Sequence, residues 1–149
     1  MLGKKWVNCY SRNMENCIFC KIIAGEIPCT KVYEDDVSFA FLDINPINLG
    51  HTLLIPKDHH ENLHEIPENL LSRLMPPLKK LANAIKESVR ADGINIGQNN
   101  GSAAGQVVYH YHVHIIPRFS GDGLKHWPGK PYLLDEAAEI AEKIKSHLS

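Results

Sequence analysis

Three histidines hold alternate positions in His110-Tyr111-His112-Val113-His114-Ile115-Ile116, and the residues between and after them are aromatic or β-branched. Successive strand side chains point to opposite faces. The spacing therefore predicts a strand with His110, His112 and His114 on one face, at steps of about 6.6–6.8 Å, and Tyr111, Val113 and Ile115 on the other. Packing alone gives no reason to repeat polar rings along one face, because a buried polar group costs free energy unless it is hydrogen-bonded. The histidine face is therefore the candidate for chemistry. Taken bare, it leaves three readings open: a metal site, a catalytic imidazole held by its neighbours, or coincidence in a chain with nine histidines.

The remaining pattern predicts an antiparallel α+β sheet. Ile18, Phe19, Ile22 and Ile23 cluster at helical spacing within 16–24, with Gly25 placed to end the helix. Val32–Glu34 and Val37–Leu42 read as a hairpin around Asp35-Asp36, and His51–Pro56 as a third strand. Leu71, Leu74, Leu78, Leu81 and Ile85 form the stripe of one long amphipathic helix, whose regular part is expected only after Pro76-Pro77. Ile94–Gln98 reads as a strand and Asn99–Gly105 as a loop. The histidine strand is expected over Val107–Arg118, a loop over Ser120–Pro131, and a closing helix over Leu134–Leu148.

With 149 residues, 44% of them hydrophobic, the chain suits one domain, placed at 14–149, behind a polar and aperiodic tail at 1–13 that is expected to be disordered. A net charge of −1 argues against non-specific nucleic-acid binding. No run approaches the roughly 20 apolar residues of a membrane span, and the opening residues lack a signal peptide's apolar centre. A cytoplasmic location follows, with neither membrane nor nucleic acid as partner. In that setting four cysteines read as thiols or metal ligands rather than a disulfide framework. Cys9 and Cys29 are read as ordinary residues, whereas Cys17-x-x-Cys20 has the spacing of a shared metal.

Gly105-Gln106-Val107-Val108-Tyr109 leads from a small-residue loop into the histidine segment, and its backbone N–H groups suit an anion. Gly105-Gln106-x-Val108-x-His110-x-His112-x-His114-Ile115-Ile116-Pro117-Arg118 resembles the signature of the histidine-triad superfamily of nucleotide hydrolases and transferases. Ile18-Phe19-x-Lys21-Ile22-Ile23-x-Gly25-Glu26-Ile27-Pro28, Val32–Asp36, Ala40–Ile44 with Pro46, and Gly50–Lys57 resemble successive blocks of its nucleotide-binding, phosphoramidase-like branch.

The resemblance implies a mainly antiparallel five-stranded sheet with one long, one short N-terminal and one C-terminal helix. It implies an enzyme in which His112 attacks the α-phosphorus of a purine nucleoside phosphoramidate or related conjugate, dinucleoside polyphosphates included. A nucleotidyl-histidine then releases nucleoside monophosphate. His114 would bind and polarise the phosphate and His51 would support it. Asn99 and the backbone of Gly105, Gln106 and Val107 would hold phosphate oxygens. Asp43 would take the ribose hydroxyls, and Ile18, Phe19, Ile22, Phe41 and Ile44 the base.

Relatives often carry a hydroxyl at position 107, where it assists the leaving group; Val107 supplies none. His126-Trp127-Pro128-Gly129 resembles a segment that approaches the partner subunit, implying a homodimer. Relatives with paired cysteines bind structural zinc, which here implies Cys17, Cys20, His59 and His110 as ligands and no catalytic metal. An unmetallated dithiol, or His60 in place of His59, stand as alternatives. His64 and His147 read as solvated residues. Two other functions compete: a zinc-stabilised nucleotide-binding protein with little activity, and a metal-dependent hydrolase using all three triad histidines.

Overall fold

A computed structural model describes residues 15–148, so the tail at 1–13 and Cys9 lie outside the described residues. The elements are α1 (Ile18–Ile23), β1 (Lys31–Glu34), β2 (Ser38–Leu42), β3 (Thr52–Pro56), α2 (Glu68–Val89), β4 (Gly93–Gly97), β5 (Val113–Arg118) and α3 (Glu136–Ser146). The five strands form one antiparallel sheet in the order β1-β2-β3-β5-β4. The α+β expectation and the three helices are borne out.

Both faces of the central strands are covered, which explains why β2 and β3 are apolar at nearly every position. Ala40, Leu54, Tyr111, Val113 and Ile115 pack with Leu70, Leu74, Leu78, Leu81 and Ile85 of α2. On the opposite face Phe39, Phe41, Leu53 and Ile55 pack with Cys17, Phe19 and Ile22 at α1. Burying each such aliphatic or aromatic side chain contributes about 1.5–3 kcal/mol. The long helix and the short one thus clamp the sheet from two sides, and the short one lies on the side that carries the histidines.

Two boundaries differ from expectation by more than two residues. Helix α2 runs through Pro76 and Pro77 rather than starting after them. A proline removes the donor to the carbonyl four residues earlier. Those carbonyls belong to Ser72 and Arg73, both exposed, so water can replace the missing bonds, while buried Leu74, Pro77 and Leu78 hold the helix to the sheet.

The second difference concerns the histidines: β5 begins only at Val113, so His110 and His112 precede the strand expected from Val107. The Tyr111 N–H donates instead to the His60 carbonyl at 2.6 Å. The alternation nevertheless survives. Tyr111, Val113 and Ile115 face α2, whereas His114 pairs across the ladder with Leu53, on the α1 side.

Candidate active site

Two rings of the triad diverge in role because the backbone bends before β5. His110 is fully buried and turned toward the cysteines, with its Nδ1 3.5 Å from Cys17 Sγ and 3.6 Å from Cys20 Sγ. His59 Nδ1 lies 3.4 Å from Cys20 Sγ. Bond lengths of about 2.3 Å to sulfur and 2.0–2.1 Å to nitrogen, at tetrahedral angles, separate such ligand atoms by about 3.6 Å. The ligand atoms of Cys17, Cys20, His59 and His110 all lie within 4.8 Å of one another.

Tautomer and charge agree with that geometry. His110 Nε2–H donates to the Pro56 carbonyl at 2.9 Å, which leaves Nδ1 with the lone pair a metal needs. The neighbouring Cys20, and then His110, hold the Cys17 thiol well below its usual range against the opposing effect of burial. The residues therefore fit a tetrahedral two-sulfur, two-nitrogen metal site. His59, not His60, joins the group.

His112 is wired differently. Its Nδ1–H donates to the His110 carbonyl at 2.6 Å, so Nε2 carries the free lone pair. Burial lowers its basicity, keeping the ring neutral. Phe19 meets the ring edge-on at 5.3 Å between centroids, and His114 at 5.0 Å.

A third chain of donors orients His114. The Ile47 N–H donates to His51 Nδ1 at 3.1 Å, so the proton of His51 sits on Nε2. That N–H donates to His114 Nδ1 at 2.9 Å, which places the remaining proton of His114 on its Nε2. His114 thus keeps an N–H for an anion beside the lone pair of His112. Asp43 stands 3.7 Å from His51 Nε2 and accepts the Asn45 N–H at 2.8 Å. Asp43, His51 and His114 are close enough to hold a metal. The Ile47 N–H, however, occupies the His51 nitrogen that would have to take up the proton.

The turn before His51 demands glycine. Gly50 has φ +91°, and a Cβ there would lie 3.0 Å from Val89 Cγ1 and 3.3 Å from Pro117 Cγ.

In the loop before the triad, Gln106 is buried with its side chain fully engaged. It accepts the Gly101 N–H at 2.8 Å and donates to the carbonyls of Glu61 at 2.6 Å and Val108 at 3.1 Å. The Gly105 and Gln106 N–H groups donate to the carbonyls of Ser102 and Gly101. Two of the three backbone donors expected for phosphate are therefore spent within the loop. The Asn99 amide nitrogen lies against Gly105, 3.7 Å from the position a Cβ would take, and the Val107 side chain is 86% exposed.

A model of the HIT domain matches residues 24–121. The adenosine 5′-monophosphoramidase of Candida albicans is 43% identical over 141 residues, which cover 90% of this chain and 92% of that protein. The chain belongs to the HIT family. A crystal structure of a HIT family member from Bacillus subtilis superposes with a TM-score of 0.84 at 44% identity, covering 90% of this chain and 98% of that one. A zinc-bound histidine triad protein from Mycobacterium smegmatis superposes with a TM-score of 0.72 at 34% identity, covering 91% and 96%.

The HIT fold divides the five apolar residues expected around a base. Phe19, Ile22 and Phe41 are buried in the core under the sheet. Ile18, 45% exposed, and Ile44, 91% exposed, keep surface for a ligand. Sequence reasoning missed the Ile47 amide, the Pro56 carbonyl and the bracing side chain of Gln106. The first two are main-chain groups and leave no side-chain pattern to find.

The HIT site also makes stability depend on pH. Burial, with His112 and His51 nearby, pushes His114 down to about 4, and burial lowers His51 despite Asp43. Unfolding restores ordinary histidines, so the unfolded chain binds more protons in the window between about 4 and 6.5. The contribution is complete above that window and disappears as pH falls through it. The urea midpoint of the wild type is expected to fall between pH 7.5 and pH 4.5 by more than that of His114→Gln. Equal falls would show that His114 carries no share.

Proposed function

We propose that this chain hydrolyses purine nucleoside 5′-phosphoramidates and related nucleotide conjugates, including dinucleoside polyphosphates, through a covalent bond from His112 to the α-phosphorus. The observation that carries the reading is the tautomer of His112, whose Nδ1–H is committed to the His110 carbonyl while Nε2 keeps its lone pair. The monophosphoramidase name of the Candida albicans relative supports the same activity.

The chemistry follows from the proton positions. Nε2 of His112 displaces the leaving group, which departs with the bonding electron pair and takes a proton from solvent, and the ring becomes cationic. The 2.6 Å bond from Nδ1–H to the His110 carbonyl then becomes charge-assisted and strengthens as that charge grows. The Nε2–H of His114, oriented by His51, donates to a phosphoryl oxygen. Water attacks the nucleotidyl-histidine in a second step and gives a proton to solvent, while the P–N bond breaks with its electron pair returning to Nε2, which releases nucleoside monophosphate and restores the neutral ring.

Asp43 accepts the ribose hydroxyls. Ile18 and Ile44 cover the base, with Phe19, Ile22 and Phe41 forming the floor beneath it. Asn99 and the backbone of Val107 hold phosphate oxygens in a loop shaped by Gly105 and braced by Gln106.

Cys17, Cys20, His59 and His110 hold structural zinc, which supplies a cross-link between α1, the segment after β3 and the turn before β5. Four protein ligands leave no open position for a reacting water. Thiolate ligands call for a reducing compartment, which supports a cytoplasmic location. No described helix is long and apolar enough to cross a membrane.

The working unit in this reading is a homodimer: no residue of α3 is buried, and Ile140, Ile144, Leu148 and Trp127 present apolar surface to solvent. A solution mass equal to one chain would reject it.

Val107 favours the alternative of a zinc-stabilised nucleotide-binding protein with little turnover, because it offers no hydroxyl to a departing group. Incubation with a fluorogenic adenosine phosphoramidate separates the two readings. Release of amine and adenosine monophosphate, with acid-labile nucleotide trapped on the protein, supports the hydrolase. Nucleotide binding without release rejects it.

A further inference from the structure

His110 faces two ways. Its ring lies against both cysteines, with Nδ1 3.5 and 3.6 Å from their sulfurs, while its carbonyl accepts the Nδ1–H of His112 at 2.6 Å. The ring is fixed at its far side by the Pro56 carbonyl at 2.9 Å. Phe19, two residues beyond Cys17, meets the rings of both His110 and His112 edge-on, at 5.9 and 5.3 Å between centroids. The metal ligands therefore grip the residue that sets the tautomer of His112 and the helix that packs against it.

We infer that the Cys17, Cys20, His59 and His110 cluster, when it holds a metal, is a positioning device for the His112 ring as well as a cross-link for the fold. His110 is then a positioning residue, acting on the reaction through its carbonyl without touching substrate. This inference rests on the reading of His112 as nucleophile, and the tests below separate the two.

The full chain is compared zinc-loaded, stripped by a chelator and reloaded with zinc, alongside His59→Ala, which removes a ligand outside both α1 and the turn bearing His112. Stripping and His59→Ala are each expected to lower kcat for the fluorogenic phosphoramidate by at least about ten-fold, the scale on which groups supporting a site act through others. The Kd for adenosine monophosphate should change by less than about three-fold, because loss confined to kcat marks an interaction made in the transition state. The Nδ1–H proton of His112, visible at low field in the NMR spectrum when zinc is loaded, should shift or broaden on stripping and return on reloading.

A proton resonance that ignores the metal overturns the inference whatever the rate does. So does a rate that falls only in step with nucleotide affinity and folded fraction, since the cluster would then serve the fold alone. Should neither metal state cleave any nucleotide conjugate, the hydrolase reading fails, and the His112 resonance still decides whether the metal positions the ring.

Discussion

His112→Ala is expected to lower kcat for adenosine phosphoramidate hydrolysis by about 10⁴-fold or more, because in the proposed mechanism it removes the nucleophile and leaves only binding and electrostatic assistance. Fold and nucleotide affinity should largely survive. His112 lies on the α1 side of the sheet, whereas the core against α2 is built from Tyr111, Val113 and Ile115. The measurement is single-turnover hydrolysis with labelled substrate, together with a search for acid-labile nucleotide on the protein. Wild-type protein should carry the label and the variant should not. Equal rates in the two proteins would remove His112 from the mechanism and with it the proposed function.

Zinc is expected to raise the melting temperature of the metal-free protein by about 10 °C, the second large effect. A ligand present at about 1,000 times its Kd contributes about 4 kcal/mol to a folded state that alone binds it. For a chain of this size each kcal/mol moves Tm by about 2–4 °C. Thermal scans of stripped and reloaded protein, with metal content measured on the same samples, check the value. His60→Ala should leave the zinc shift intact, because His59 and not His60 belongs to the four-residue group. Cys17→Ser should reduce it. An unchanged Tm with no retained metal would mean that the cysteines form an unmetallated dithiol.

The long helix, the hairpin and the order of elements were legible because each rests on local periodicity and turn chemistry. The histidine segment was only half legible. Alternation correctly assigned Tyr111, Val113 and Ile115 to one face, yet nothing local revealed that the Tyr111 N–H bonds to His60, which delays the strand until Val113.

The same limit applies to the candidate site. The spacing of Cys17 and Cys20 nominated two metal ligands and the family resemblance added His59 and His110; the structure gathers all four. The small-residue loop and the resemblance pointed to Gly105 and Gln106 as phosphate donors, whereas their N–H groups are engaged with Ser102 and Gly101. The prolines of α2 misled for a related reason: what they cost depends on whether the orphaned carbonyls meet water, which is a property of the packed helix.

Three imidazoles of the site take their orientation from peptide groups, His112 from the carbonyl of His110, His110 from that of Pro56 and His51 from the amide of Ile47, and His51 in turn orients His114. Peptide groups are indifferent to which side chain follows them. If Ile18 and Ile44 cover a base as proposed, that rim is open to redesign for other nucleobases, since altering it leaves the wiring of the imidazoles in place.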